Sequence, residues 1–287
     1  MTSMLELYKN PWRLDFERLL QSVTTDLLIV APFIKYAEAR WVCQVLSGLR
    51  SSHSVRLLIL TSLRSESILS GMLDLTALIA FYDAIPNSKV VNLPRLHAKV
   101  YVADDNVAIV TSANLTGAGL DSNYEYGVGI KEPHTVKKIR SHLEAYAHLG
   151  NVLTYDVLTK LSSVAEKLSS EYQELQRSTQ KDAHKRFNQE LRQANDEFVK
   201  AQVGTRSANS LYSDAIVYVL REHGPLSTEE LHPRIQRLLP DLCDDSIELV
   251  INDQHFGKRW KHAVRNAQQY LKKNGVIVFD GKKWTLL

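Results

Sequence analysis

One stretch of this 287-residue sequence gathers side chains that could bind and attack a phosphate group. His97 and Lys99 are two residues apart, and Ser112 and Asn114 repeat that spacing further along. Positions two apart on a β-strand face the same side, so we expect His97 and Lys99 to project together. If residues 107–114 form the neighbouring antiparallel strand, Ser112 and Asn114 share that face. An imidazole, an ammonium, a hydroxyl and an amide would then form a receptor for a phosphate.

Six polar residues of this stretch are candidate site residues: His97, Lys99, Asp104, Ser112, Asn114 and Glu125. Their order and spacing resemble the HKD motif of the phospholipase D superfamily, including the Ser-x-Asn pair, the Asn-Leu-Thr-Gly segment and the later glutamate. A bare His-x-Lys-x4-Asp pattern arises by chance, but the extended pattern on an apolar strand pair followed by a glycine loop is specific. The resemblance is specific over residues 90–130 and extends in outline over residues 1–150. It implies a phosphodiesterase.

The resemblance implies a covalent mechanism, and the groups themselves favour it. A phosphodiester is an anion that repels hydroxide, whereas neutral imidazole is a nucleophile near pH 7 without a metal. We expect His97 to attack phosphorus and form a phosphohistidine, while Lys99 and Asn114 stabilise charge on the non-bridging oxygens. Glu125 would hydrogen-bond the far nitrogen of His97 and fix its tautomer, with Ser112 as a secondary support. No metal ion and no cofactor are expected.

Asp104 belongs to the same motif but lies in a different kind of segment. With Asp105 and Asn106 it falls between two strand-like runs, where these residue types predict a hairpin turn. Asp104 is therefore a candidate site residue that we expect to be structural rather than to touch the phosphate.

The leaving oxygen also needs a proton, which requires a second histidine as general acid. A superfamily member that works as one chain carries two HKD motifs, whereas this sequence carries one. Other histidines lack the His-x-Lys context: His53, His134, His142 and His148. The simplest resolution is a homodimer in which two copies of His97 face each other across a two-fold axis.

The elements that must position these residues alternate between strand-like and helical segments. Short apolar runs rich in β-formers predict strands at residues 27–33, 55–61, 89–93, 98–104, 107–112 and 124–130. Helical patterns are predicted near residues 37–49 and 134–148. Apolar strands separated by helices predict an α/β domain over residues 1–151, with helices on both faces of its sheet. The resemblance makes it a phospholipase D-like layered α-β-α domain.

Residues 152–207 are predicted to form a long amphipathic helical linker. Residues 154–203 contain neither Pro nor Gly, and apolar side chains recur at spacings of three and four: Val157, Leu161, Val164, Leu168, Tyr172 and Leu175. Such helices either pack on the first domain or pair with a second copy. A simple connector and a dimerisation arm both stay open.

Residues 208–287 are predicted to form a small α+β domain. Helical segments at residues 211–222, after the capping pair Ser227 and Glu230, and at residues 259–273 precede an Asp-Gly hairpin. Three helices followed by a hairpin is the winged-helix order. This ending resembles winged-helix domains found beside nuclease domains in bacterial restriction enzymes.

The net charge of +3 identifies no partner, but its distribution is more informative. Residues 256–287 contain eight Lys and Arg against one acid, which gives this segment a net charge of +7. Six of these cations are candidate DNA contacts: Lys258, Arg259, Lys261, Arg265, Lys282 and Lys283. A recognition helix and a wing present such cations to phosphates. A solvated helix face is the alternative. We expect Trp260 and Trp284 to lie in the core.

Several classes of protein are excluded by composition. No apolar run is long enough to cross a bilayer, and residues 1–10 lack the apolar core of a signal peptide. Cys43 and Cys243 are too few for a disulfide scaffold or a cysteine-based zinc site. We therefore expect a cytoplasmic protein without membrane association.

These features together predict a metal-independent DNA endonuclease that resembles phospholipase D-type restriction endonucleases and prefers double-stranded DNA. Two other functions stay open. A phospholipase or phosphatidyltransferase would need an apolar surface or membrane anchor, and a DNA-binding regulator with an inactive domain would need a broken motif, whereas this motif is complete. Because winged helices also dock proteins, a helicase or methyltransferase subunit would fit as a partner.

Overall fold

The protein divides into two compact units, residues 1–204 and 205–287, each with its own buried core. The computed structural model describes residues 4–49, 54–177, 207–240, 242–251 and 254–287. Residues 178–206 of the predicted linker lie outside the described residues, as do His53 and residues 1–3.

In the described part of the first unit, eight strands form one mixed sheet. They are β1 (Leu5–Lys9), β2 (Asp26–Val30), β3 (Arg56–Thr61), β4 (Ser88–Asn92), β5 (Val100–Ala103), β6 (Val107–Thr111), β7 (Tyr126–Ile130) and β8 (Asn151–Val152). Their order is β1-β7-β6-β5-β2-β3-β4-β8. Strands β2, β3 and β4 are mutually parallel, and the other neighbours are antiparallel. The α/β class predicted from the sequence is confirmed.

Helices cover both faces of this sheet. They are α1 (Arg13–Gln21), α2 (Tyr36–Ser47), α3 (Ser65–Leu69), α4 (Leu75–Ala84), α5 (Pro133–Leu149) and α6 (Tyr155–Arg177). Leu27 and Ile29 of β2 belong to the core beneath α1, α2, α4 and α6, whereas Leu28 and Val30 belong to the core beneath α5. Successive strand residues point to opposite faces, so an apolar run such as β2 suits a sheet that lies between two helical layers.

Helix α6 forms most of the described part of the predicted linker, whose first residue, Val152, belongs to β8. Leu158, Leu161 and Leu168 are buried in the core that α1, α2 and α4 also cover, so this part of the linker packs on the first unit. At 23 residues it is the longest described helix. Neither α6 nor any other described helix combines the length and the apolar composition needed to cross a membrane.

The second unit contains the predicted helices and closing hairpin. Its elements are α7 (Ala208–His223), α8 (Thr228–Leu238), β9 (Glu248–Ile251), β10 (Gln254–Lys258), α9 (Arg259–Lys273), β11 (Ile277–Phe279) and β12 (Trp284–Leu286). Ser227 and Glu230 form the predicted capping box at the start of α8. Trp260 and Trp284 are buried in the core, as their size and composition predict.

The hairpin of β9 and β10 was not predicted. Residues 254–257 are all exposed, including the apolar Phe256, and Gly257 has a φ of +87°. A strand without a buried face lacks the alternation of apolar and polar residues by which strands are recognised.

Asp104 holds the turn after β5 to the chain that leads into β2. Its carboxylate accepts hydrogen bonds from the backbone N–H groups of Thr24, Thr25 and Asp26 at 2.8–2.9 Å, and from both threonine hydroxyls. Burial would raise the pKa of Asp104, but these hydrogen bonds outweigh it and hold the pKa below its ordinary value. Lys99 lies beyond the other end of β5, roughly 15 Å away by strand rise, so Asp104 is separate from the remaining motif residues.

Asp104→Asn should lower the free energy of unfolding by about 2–3 kcal/mol near neutral pH, because an amide cannot accept all three backbone N–H groups. Since the folded-state pKa is lowered, the stabilisation is present above the unfolded pKa of about 3.9 and is lost as the pH falls through the folded value. Urea unfolding of both proteins should therefore converge at acid pH.

Asp105→Asn is the matched control for this experiment. Asp105 is half exposed and pairs with Arg140 at 3.1 Å, so its replacement should cost less than about 1 kcal/mol. Equal losses in the two variants would contradict the anchoring role of Asp104.

Candidate active site

Five of the six predicted motif residues meet at one edge of the sheet in the first unit, and Asp104 lies at the opposite edge. Strands β2, β3, β4 and β6 end at this edge, while β5 and β7 run the opposite way and begin there. His97 and Lys99 precede β5, Ser112 and Asn114 follow β6, and Glu125 precedes β7. Strand direction thus brings these five positions to one place, which we name the site edge.

His97 and Lys99 lie side by side, but not within a strand as predicted. Strand β5 begins at Val100, and the carbonyl of Lys99 accepts one further ladder hydrogen bond, from the N–H of Thr111 at 3.1 Å. The Nζ atom of Lys99 lies 3.5 Å from both ring nitrogens of His97. The backbone before Val100 is extended although it has left the strand ladder, so residues two apart still point to the same side. His97 and Lys99 therefore lie next to each other.

Lys99 is a largely buried cation beside an exposed imidazole. Its exposed fraction is 8%, and burial lowers its pKa, while the negative charge of Glu125 acts in the opposite direction. Within the described ranges, no carboxylate forms an ion pair with Lys99, and its side-chain hydrogen-bond contacts are the two nitrogens of His97. The ammonium therefore has room for an anionic partner.

Glu125 contacts Ser112 rather than His97. The Ser112 hydroxyl donates to one carboxylate oxygen of Glu125, and the amide of Asn123 donates to the other at 3.2 Å. Ser112 also accepts a hydrogen bond from the N–H of Tyr126 at 3.2 Å. Among the described residues the predicted hydrogen bond between Glu125 and His97 is not formed, and the donors to the two carboxylate oxygens are Ser112 and Asn123.

Asn114 connects the site edge to the segment that follows β2. Its side-chain oxygen accepts a hydrogen bond from the N–H of Phe33 at 3.2 Å, and the next residue, Leu115, forms an isolated parallel bridge with Ile34. This hydrogen bond fixes the side-chain oxygen towards Phe33, and Nδ2, the donor of the amide, is the atom that can bind an anion.

Ala113, the residue between Ser112 and Asn114, is bound by the side chain of Tyr101. This fully buried tyrosine donates a hydrogen bond to the carbonyl of Ala113 at 3.0 Å. Its ring centroid lies 4.6 Å from that of Phe16. Tyr101 lies in β5, two residues after Lys99, and Ala113 follows the end of β6. The hydrogen bond therefore holds the residues that follow β6 against β5.

The loop after Asn114 is held by residues that the sequence analysis missed. The indole N–H of Trp12 donates to the carbonyl of Gly119 at 2.9 Å, and the guanidinium of Arg13 contacts both carboxylate oxygens of Asp121 at 2.6–3.1 Å. A Cβ atom at Gly119 would lie 2.4 Å from the carbonyl oxygen of Asn114, so this close approach requires glycine. More than a hundred residues separate the partners, and no local pattern relates them.

Five of the six predicted DNA contacts are exposed cations of the second unit: Arg259, Lys261, Arg265, Lys282 and Lys283. Those of α9 lie on a helix that buries Trp260 and Leu271 on another face. Those of the hairpin follow Asp280, whose carboxylate accepts both of their backbone N–H groups. Lys258 differs, since its ammonium lies 3.4 Å from the carboxylate of Glu248.

The two cysteines are buried thiols, one in α2 and one after α8. Burial raises the pKa of Cys43 to about 11 and that of Cys243 to about 12, which disfavours the reactive thiolate near neutral pH. Over the residues that the structure describes, no group of three or more His, Cys, Asp or Glu side chains could hold a metal ion.

A protein-family model matches residues 19–147, and its description is cardiolipin synthase, PLD-like domain, where PLD abbreviates phospholipase D. The match includes all the residues of the site edge and Asp104. A search among curated proteins found no match.

Several solved structures are similar to this chain at low sequence identity. NucT from Helicobacter pylori is 17% identical, with a TM-score of 0.41 over 49% of this chain and 92% of that chain. Nuc, a phospholipase D family member from Salmonella typhimurium, is 17% identical, with a TM-score of 0.43 over 52% of this chain and 96% of that chain. Phosphatidylserine synthase from Haemophilus influenzae Rd KW20 is 16% identical, with a TM-score of 0.45 over 60% and 46%. Residues 19–147, which carry the site edge, are thus similar to a phospholipase D-like domain.

Proposed function

We propose that this chain is a DNA endonuclease that cleaves phosphodiester bonds through a phosphohistidine at His97, without a metal ion. The supporting observation is the ammonium of Lys99, which is 8% exposed, adjoins an exposed imidazole and forms no ion pair in the described part of the chain. A buried cation without an anion is costly, so this position favours an anionic ligand. The ligand would lie beside a nucleophile, in position for attack.

The reaction would proceed in two displacements. A ring nitrogen of His97 bonds to phosphorus while the bond to the leaving oxygen breaks, and Lys99 with Nδ2 of Asn114 stabilises charge on the non-bridging oxygens. Water then attacks phosphorus, the phosphorus–nitrogen bond breaks, and the imidazole is restored. Glu125 would support the site through Ser112, and its negative charge helps Lys99 to stay protonated.

The active form in this proposal is a homodimer with one composite site. The leaving oxygen must gain a proton, and within the described residues no second histidine hydrogen-bonds His97 or Lys99. A two-fold related copy would supply the partner subunit's His97 as the general acid.

The second unit favours DNA as the substrate. Three helices and a closing hairpin follow the order of a winged helix, which places one helix and one wing against DNA. Five of the six proposed contact residues are exposed, while Lys258 shares its charge with Glu248. We propose that this unit binds double-stranded DNA and that the protein acts in restriction or defence in the cytoplasm. A helicase or methyltransferase subunit would fit as a further partner.

One observation favours the phospholipase alternative. Leu5 and Leu7 of β1 are exposed, and the strand register places Leu7 beside Val128, which in turn lies beside Val110. Tyr126, also exposed, begins the same strand as Val128 at the site edge. An apolar strip that reaches the site could contact acyl chains, so lipid vesicles belong among the test substrates.

Plasmid DNA incubated with the protein in excess EDTA should be cleaved, and His97→Ala should reduce cleavage by about a thousandfold or more because the nucleophile is removed. His142→Ala, which changes an exposed histidine of α5, should cleave like the wild type. Loss of cleavage on chelation would contradict the metal-free mechanism. Turnover of phospholipid vesicles without DNA cleavage would support the alternative.

Lys99→Met should lower kcat about 100- to 1,000-fold, because it removes a donor to the developing charge. Since burial lowers the pKa of Lys99 and the reaction needs the ammonium, activity should fall with rising pH below the ordinary lysine value of about 10.4. The control Lys89→Met changes an exposed lysine of β4 and should retain the wild-type pH–rate profile. An unchanged alkaline limb in Lys99→Met would argue against this role.

Co-expression of wild-type and His97→Ala chains tests the composite site. If each site needs His97 from both chains, activity follows the square of the wild-type fraction, and an equal mixture retains about one quarter. Independent sites would retain about one half. Light scattering on the wild-type protein should give twice the chain mass, and an active monomer would rule out the composite site.

A further inference from the structure

Two arginines outside the motif also lie at the site edge. Strands β3 and β4 are parallel neighbours whose last register pair is Thr61 with Asn92. Arg64 and Arg95 lie equally far beyond this pair, and both side chains are exposed. Neither forms an ion pair within the part of the chain that the structure describes. Strand direction therefore places two available guanidinium groups at the same edge as His97.

The two segments that carry these arginines are fastened to each other. The N–H of Leu93 donates to the carbonyl of Thr61 at 2.8 Å, and the N–H of Leu63 donates to the side-chain oxygen of Asn92 at 2.8 Å. Asn92 is completely buried, so this link is shielded from water. The backbone beneath the arginines is thus held in a fixed arrangement while their side chains reach into solvent.

Arg95 adopts a backbone conformation that disfavours most side chains. Its φ is +62°, in the left-handed region that glycine and asparagine enter more readily. The turn is closed by a hydrogen bond from the N–H of Leu96 to the carbonyl of Leu93 at 3.1 Å, and His97 follows directly. Among the described residues the exposed Arg95 side chain has no ion-pair partner, so it adds little to the stability of the fold at this position. The strain therefore indicates that its side chain has a use.

We propose that Arg64 and Arg95 bind the DNA phosphates that flank the one attacked by His97. This inference rests on the proposed DNA cleavage. The Cα atoms of Arg95 and His97 lie within about 7 Å of each other by chain length, and each DNA strand carries a phosphate roughly every 3.4 Å along the helix axis. Guanidinium groups bind phosphate oxygens through paired hydrogen bonds. A lone phosphodiester has no flanking phosphate, so these arginines select a polynucleotide over a small ester.

The experiment compares a short DNA duplex with bis(p-nitrophenyl) phosphate. Arg64→Gln and Arg95→Asn each remove one charge, and asparagine tolerates the left-handed turn. Each should lower the ratio of kcat/KM for the duplex to kcat/KM for the ester roughly tenfold. The dependence of log kcat/KM on log salt concentration for the duplex should become shallower by about 0.9 per arginine. Arg95→Lys, which keeps the charge, should retain the wild-type slope.

Arg56→Gln is the matched control, because Arg56 begins β3 at the opposite edge, where it pairs with Asp26 at 2.7 Å. It should keep the wild-type ratio and slope. If the wild type cleaves DNA while Arg64→Gln and Arg95→Asn keep both values, the inference is overturned and the proposed function is not. Parallel loss on both substrates would also overturn it, since the arginines would then act in building the site. A wild type that cleaves no DNA overturns the proposed function itself.

Discussion

The site edge depends on the ammonium of Lys99, which is largely buried and forms no ion pair with a carboxylate of the described residues. Two hydrogen bonds hold the backbone around Lys99. The N–H of Thr111 donates to the carbonyl of Lys99, and the hydroxyl of Tyr101 donates to the carbonyl of Ala113. The burial that lowers the pKa of Lys99 also strengthens its attraction for an anion, because both effects arise from the low local dielectric. The hydrogen bonds of Thr111 and Tyr101 thus hold the Lys99 ammonium in a position where a bound phosphate would neutralise its charge.

One short strand separates the structural part of the motif from the chemical part. At one end of β5, Asp104 gathers the backbone N–H groups of residues 24–26 and fixes the chain that enters β2. At the other end, Lys99 contacts His97. Since β2 and β5 are neighbours, the carboxylate sets the strand pairing on which the position of the cation depends. The two charges cooperate through the strand and not through direct contact.

Sequence patterns located those features that depend on neighbouring residues. The pairing of His97 with Lys99 follows from a two-residue spacing that holds even where the strand ladder has ended. Contacts between distant segments leave no local sequence pattern. An example is the hydrogen bond from the indole of Trp12 to the carbonyl of Gly119 in the loop after β6. Glu125 was expected to bind the imidazole, but it accepts hydrogen bonds from the hydroxyl of Ser112, 13 residues away, and from the amide of Asn123. The strand at residues 254–258 was not predicted from the sequence because it buries no apolar face.

The pairing of β1 with β7 has a consequence for biosynthesis. More than a hundred residues separate these strands, so β1 leaves the ribosome about 6–25 s before its partner at typical rates of translation. During that interval Leu5 and Leu7 belong to an unpaired strand, which is a target for chaperones. The sheet cannot close, and the edge that holds Glu125 cannot form, until residue 130 has emerged. A nascent chain that ends before residue 130 therefore lacks a complete site edge.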